Sequence, residues 1–118
     1  MNTQEIAHDL VALCQQGKFD EAGEKYWADD VVSVEAMGDE AESHGKQAAR
    51  AKGEWWANNH EVHDTRVEGP YVNGDEFTVR FVMDITDKTN GQRITMDEIA
   101  LYRLEGGKIA EERFFYSM

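Results

Sequence analysis

With 118 residues the chain has room for one domain around one core, and 41% hydrophobic against 31% charged residues is a globular rather than a disordered composition. A net charge of −12, with Lys and Arg scattered singly, opposes binding to nucleic acid and to anionic membrane surfaces. No apolar run approaches the roughly 20 residues needed to span a bilayer, and Glu5, His8 and Asp9 break up the stretch where a secretory leader would be apolar, so a cytoplasmic protein is expected.

Residues 3–16 read as a helix with Ile6, Leu10, Leu13 and Cys14 on one stripe, stopped by Gly17. The lone Cys14 has no partner for an internal disulfide and is expected in the core. Asp20 can cap a second helix over 21–28, with Ala22, Tyr26 and Trp27 as its apolar members. Residues 31–37 are β-branched and short, which predicts a strand. A polar, acidic connection then runs through Ser43. Helical spacing returns over 46–58, with Ala48, Ala51, Trp55 and Asn59 along one side and Trp56 beside them.

From residue 60 the period changes to two. His63, Thr65 and Val67 alternate with Asp64, Arg66 and Glu68; Val72-Asn73-Gly74-Asp75 is a tight-turn signal. Phe77, Val79, Phe81, Met83 and Ile85 alternate without a break. Thr89-Asn90-Gly91 and Glu105-Gly106-Gly107 separate two more strands, 93–104 and 108–116. Helices first and hairpin-linked strands after is the α+β pattern, with an antiparallel sheet. One sheet face would carry Phe77, Phe81, Met83, Ile85, Met96, Ala100, Tyr102, Phe114 and Tyr116. The other would carry Val82, Ile99, Leu101, Ile109 and Phe115. Three short helices can cover only one face, and a second copy of the chain is the simplest cover for the other.

Several strings occur in an informative order. They are Tyr26-Trp27-Ala28-Asp29-Asp30-Val31, His44-Gly45-Lys46-Gln47-Ala48, Glu68-Gly69-Pro70, Asn90-Gly91-Gln92 and Tyr102-Arg103-Leu104-Glu105-Gly106-Gly107-Lys108-Ile109. In that order and spacing the chain resembles the nuclear-transport-factor-like superfamily, in its SnoaL-like and ketosteroid isomerase-like branch. The resemblance implies a single domain over 1–118. Its helices would form a cone-shaped roll on a strongly curved antiparallel sheet and enclose a pocket. It also implies a homodimer through the convex sheet face. In the isomerase a carboxylate general base ends the strand after the Ala-Asp-Asp string, a position that falls here on Glu35. The isomerase's oxyanion donors, a tyrosine and a protonated aspartic acid, would fall near Leu10 and at Ala100, which cannot donate. Steroid isomerisation by that mechanism is therefore not expected.

Alternation assigns Glu98 and Ala100, and Glu112, Phe114 and Tyr116, to the pocket side. The candidate catalytic residues are Glu35, His63, Glu98 and Glu112, because a carboxylate in an apolar setting can move protons near neutral pH. Glu98 and Glu112 could instead pair with Arg93, Arg103 or Arg113. Trp27, Trp55, Phe81, Met83, Met96, Ala100, Phe114 and Tyr116 would line the pocket. His60 and His63, three apart on a strand, face opposite ways, so no metal is expected, and no sequence pattern calls for a cofactor. Arg80 falls on the outer face, which argues against an epoxide-hydrolase arrangement of an arginine between two carboxylates. The expectation is a pocket protein for a small apolar or amphipathic ligand. Its activity would be acid/base chemistry of the isomerase, cyclase or hydratase type; the alternative is a non-catalytic ligand-binding or dimeric interaction module.

Overall fold

The computed structural model describes residues 1–37 and 41–117, and part of the acidic connection expected before Ser43 lies outside them. Helix α1 (Thr3–Gln15) opens on a capping box: Asn2 Oδ1 accepts from the Glu5 amide at 2.9 Å, and the Asn2 amide donates back to Glu5 Oε1 at 3.1 Å. Gly17, at φ 76°, follows its end in the left-handed conformation a side chain would resist. Helix α2 (Phe19–Tyr26) follows, then β1 (Trp27–Val34), β2 (Glu42–His44) and α3 (Lys46–Asn59). The long strands β3 (His60–Asn73), β4 (Glu76–Asp87), β5 (Arg93–Glu105) and β6 (Lys108–Phe115) complete the chain.

The strands form one curved, unclosed sheet in the order β2-β1-β6-β5-β4-β3. It is antiparallel except where β1 runs parallel to β6. That parallel pairing needs the long path back from β1 through the rest of the fold. Helix α1 packs on β3 and β4, while α3 bridges β1, β2 and β3, so the helices lie over the concave face. Phe77, Val79, Phe81, Met83 and Ile85 of β4 are all buried there, against Ile6, Leu10 and Cys14 of α1. Each such large side chain contributes about 1.5–3 kcal/mol on burial. Among the described residues, no helix is long and apolar enough to cross a membrane.

The structure corrects the sequence reading in several places. Trp27 is the first residue of β1, not the end of α2, with extended backbone at φ −61° and ψ 131°. Part of the expected loop before helix α3 is the edge strand β2, pairing Val32 with His44. The inward seam of α3 is buried Ala49 with half-buried Lys52 and Trp56, one residue and about 100° round from the expected Ala48, Ala51 and Trp55. Trp55 is consequently 62% exposed.

Bulges reverse strict alternation at two of the residues assigned to a face. On β3 the pairing steps from Val62↔Ile85 to Asp64↔Asp84, leaving His63 as the extra residue. Its ring is exposed, and Nε2 meets Thr86 Oγ1 at 2.7 Å instead of facing inward. On β6, Ala110 is the extra residue between Ile109 and Glu111, so Ile109 turns into the core rather than onto the convex face. The convex face does carry Ile99 and Phe115, both exposed, and Arg80, whose guanidinium forks onto Asp97 at 2.9 and 2.6 Å.

Candidate active site

The parallel β1–β6 pairing sets Ser33 directly beside Glu112. Both are buried polar residues in an otherwise apolar interior, and a buried carboxyl needs donors. Glu112 has them: Trp27 Nε1–H donates to Oε1 at 2.7 Å, and the Ser33 hydroxyl donates to Oε2 at 2.8 Å. The Trp27 ring reaches this place over Gly23, where a Cβ would stand 2.5 Å from the indole. Lys52, inside the α3 seam, sends its ammonium to Ser33 Oγ at 2.5 Å and to Glu35 Oε1 at 2.8 Å. It also lies over the Phe114 ring, 5.2 Å from the centroid. The Tyr116 hydroxyl donates to Glu35 Oε2 at 3.0 Å. A continuous polar chain thus runs from Trp27 through Glu112, Ser33, Lys52 and Glu35 to Tyr116.

Glu98 is different. It lies on the same face of β5, opposite Phe81, and its carboxyl makes no side-chain hydrogen bond among the described residues. Burial pushes its pKa up to about 7, the negative charges of Glu35 and Glu112 push the same way, and Lys52 opposes them. Burial also raises the pKa of Glu112, against the pull of its Trp27 and Ser33 donors. The Tyr116 hydroxyl is pushed up to about 12, by burial first and then by Glu35, so it stays a donor. At neutral pH Glu98 can therefore either take or give a proton, with the Lys52 ammonium nearby.

The structure brings Glu35, Glu98, Glu112, Trp27, Phe114 and Tyr116 together at this cluster. Phe81, Met83, Met96 and Ala100 lie on the same concave face. It leaves His63 and Trp55 outside. Lys52 and Ser33 are central and were not anticipated. Ser33 could have been found as the polar residue sharing a face with Val31; Lys52 was hidden by the misplaced helix seam. Glu35 is tied between Lys52 and Tyr116, and the carboxyl raised to about 7 is that of Glu98. No three of His, Cys, Asp and Glu converge to hold a metal among the described residues. Two hollows elsewhere, one of about 270 Å³ beside Met1, Ile6 and Leu104 and one on the convex face by Leu101 and Arg113, gather no comparable chemistry.

A SnoaL-like domain model matches residues 1–116. The chain belongs to the SnoaL-like family. A Mesorhizobium loti protein provisionally described as a SnoaL-like polyketide cyclase, with carbohydrate phosphatase also in its description, is 56% identical. The alignment covers 98% of this chain and all of that one, with a TM-score of 0.95. A Xanthomonas campestris protein of unknown function with a cystatin-like fold matches at TM-score 0.83 and 20% identity, over 100% of this chain and 92% of the other. A Bacillus subtilis protein provisionally described as an isomerase matches at TM-score 0.81 and 17% identity, over 99% and 90%. At such identities the last two show the SnoaL-like fold alone. No curated protein matches the chain. In this SnoaL-like domain, then, the fold is that of the resemblance.

Proposed function

We propose that this SnoaL-like domain is an acid/base enzyme of the isomerase, cyclase or hydratase type, acting on an apolar carbonyl compound held against the concave face. The observation that carries this reading is Glu98: a carboxyl on the concave face with no side-chain partner among the described residues, flanked by two other glutamates and poised near pH 7. Ionised Glu98 would take a proton from the carbon beside a carbonyl. The C–H electron pair then moves toward the carbonyl oxygen, and the third N–H of the Lys52 ammonium, beyond those given to Ser33 and Glu35, is the donor for the developing negative charge. Returning the proton at another carbon isomerises the substrate; attack of the enolate on a second carbonyl closes a ring. The cyclase description of the 56% identical relative supports the same class.

Deuterium uptake tests it. A neutral 1,3-diketone in D2O, followed by NMR, should exchange faster with the protein present, and Glu98→Gln should remove the acceleration while leaving the fold intact. Undiminished exchange in Glu98→Gln would remove Glu98 as the proton carrier. We also propose that the protein works as a homodimer joined through the convex face, where Ile99 and Phe115 are exposed side by side.

A further inference from the structure

Three carboxyls share the electrostatic reach of one ammonium: Glu35 just past β1, Glu98 on β5 and Glu112 on β6, with Lys52 on α3. A long, flexible lysine in such company pairs with whichever free carboxylate it reaches. Here its choice is already made. Ser33 Oγ and Glu35 Oε1 take two of its three N–H groups, at 2.5 and 2.8 Å, and the Phe114 ring lies 5.2 Å from the nitrogen. Glu35 is itself anchored at its backbone and at both carboxyl oxygens. Its amide donates to the Ala41 carbonyl at 2.6 Å, Lys52 holds Oε1, and the Tyr116 hydroxyl donates to Oε2 at 3.0 Å. Glu112 is a poor rival for the ammonium, because Trp27 and Ser33 already donate to its two oxygens. Glu98 is the open rival, since its carboxyl has no side-chain hydrogen bond or ion pair among the described residues.

A lysine that paired with Glu98 would keep it ionised to lower pH and occupy its oxygens, leaving a weaker and less accessible base. We propose that Glu35 is a positioning residue that holds Lys52 off Glu98 and so keeps Glu98 free to carry the proton. The place that the resemblance gives to a catalytic base then serves as a lysine's counter-ion, and the proton-carrying carboxyl lies on β5 instead. The charged and titratable groups facing Glu98 are Glu35 past β1, Lys52 of α3, Glu112 of β6, and the hydroxyls of Tyr102 and Tyr116. Of these charges, Glu35 and Glu112 favour the protonated form of Glu98 and Lys52 favours the ionised one, so the balance turns on where the ammonium is held. The proposal rests on the acid/base reading of Glu98, but the hold of Glu35 on Lys52 can be measured without turnover.

The test is a double-mutant cycle read by NMR titration of the Glu98 side-chain carboxyl carbon in the parent, Glu35→Gln, Lys52→Met and the double variant. Thermal melts check folding, and Lys52→Gln closes the same cycle if Lys52→Met does not fold. The neutral amide of Glu35→Gln holds an ammonium less tightly than ionised Glu98 does. With Lys52 present, Glu35→Gln should therefore release the ammonium to Glu98 and lower the proton affinity of Glu98 about tenfold or more, the usual effect of an adjacent opposite charge. In the Lys52→Met background the same substitution removes only a neighbouring like charge, and the fall should be no more than about threefold. Equal changes in the two backgrounds, or no change in either, would overturn the proposal. Glu35→Gln should also slow deuterium uptake into the 1,3-diketone. If it abolishes uptake while Glu98 titrates as in the parent, Glu35 is itself the base and the proposal is overturned. A parent that speeds no uptake, with the titration cycle still non-additive, fells the acid/base reading and leaves the hold of Glu35 on Lys52 standing.

Discussion

Ser33 and Glu112 face each other across the parallel β1–β6 pairing, and the Ser33 hydroxyl donates to Glu112 Oε2 at 2.8 Å. The same oxygen of Ser33 receives Lys52, so one hydroxyl joins the sheet's buried carboxyl to helix α3. Ser33 is completely buried, and removing its hydroxyl leaves both neighbours short of a partner. Ser33→Ala should therefore cost about 1–3 kcal/mol, the usual penalty for a stranded buried polar group. Urea unfolding measures it; a loss under a few tenths of a kcal/mol would mean the network is not holding the strand pair.

The pH dependence of stability follows from Glu98. Its ordinary pKa is 4.5 and its folded value about 7, so between these pH values the native state binds more protons than the unfolded chain. Stability contributed by Glu98 is then complete below about pH 4.5, is lost as pH rises toward 7, and changes no further above that. Glu98→Gln, which cannot ionise, should flatten that part of the curve. If Glu98 acts as the ionised base, activity should rise through pH 7 in the opposite sense. Parallel unfolding curves for parent and Glu98→Gln across pH 5–8 would rule out the raised pKa.

The long alternating strands were legible because β4 shows both faces plainly: five apolar residues at even spacing leave one register. Local failures had local causes. At His63 and Ala110 a single extra residue reverses the count, and bulges leave no periodic mark to read. On α3 two stripes one residue apart compete, Ala48-Ala51-Trp55 and Ala49-Lys52-Trp56. The first contains no charge and looks the more apolar. The second wins because Lys52 finds Glu35 and Ser33, partners that lie 17 and 19 positions earlier in the chain and are invisible to a helical window. Glu98 was legible as an inward carboxyl; that it, rather than Glu35, stays unpartnered depends on those same contacts.

The two tryptophans of α3 offer a direct check on its rotation. Trp55 is exposed, whereas Trp56 is half-buried and stacks on His60 at 4.5 Å. Trp55→Ala should change stability by no more than about 0.5 kcal/mol, as surface substitutions do. Trp56→Ala should cost clearly more, by about 1–3 kcal/mol, because it strips a packed ring from the core edge. The reverse order would put the seam back on Ala48, Ala51 and Trp55.

The convex face makes the last prediction. Ile99 and Phe115 are directly paired across β5 and β6, and they are 45% and 50% exposed. Opposed side chains in a ladder lie about 5 Å apart, so the two form one apolar surface rather than two isolated residues. Leu101 follows on the same face of β5, and Val82 on β4 lies diagonally from Ile99. Charged groups border this surface, Arg80 with Asp97 at one side and Glu111 with Arg113 at another. An apolar centre with a charged rim fits a self-complementary contact, in which the same patch of two copies meets about a twofold axis. The helices already cover the concave face and cannot reach this one. Sedimentation should therefore show a dimer at micromolar concentration, and Ile99→Lys should yield a folded monomer, because it buries like charges against each other across the axis. A monomeric parent, or an Ile99→Lys protein that remains an unchanged dimer, would show that this face is not the contact.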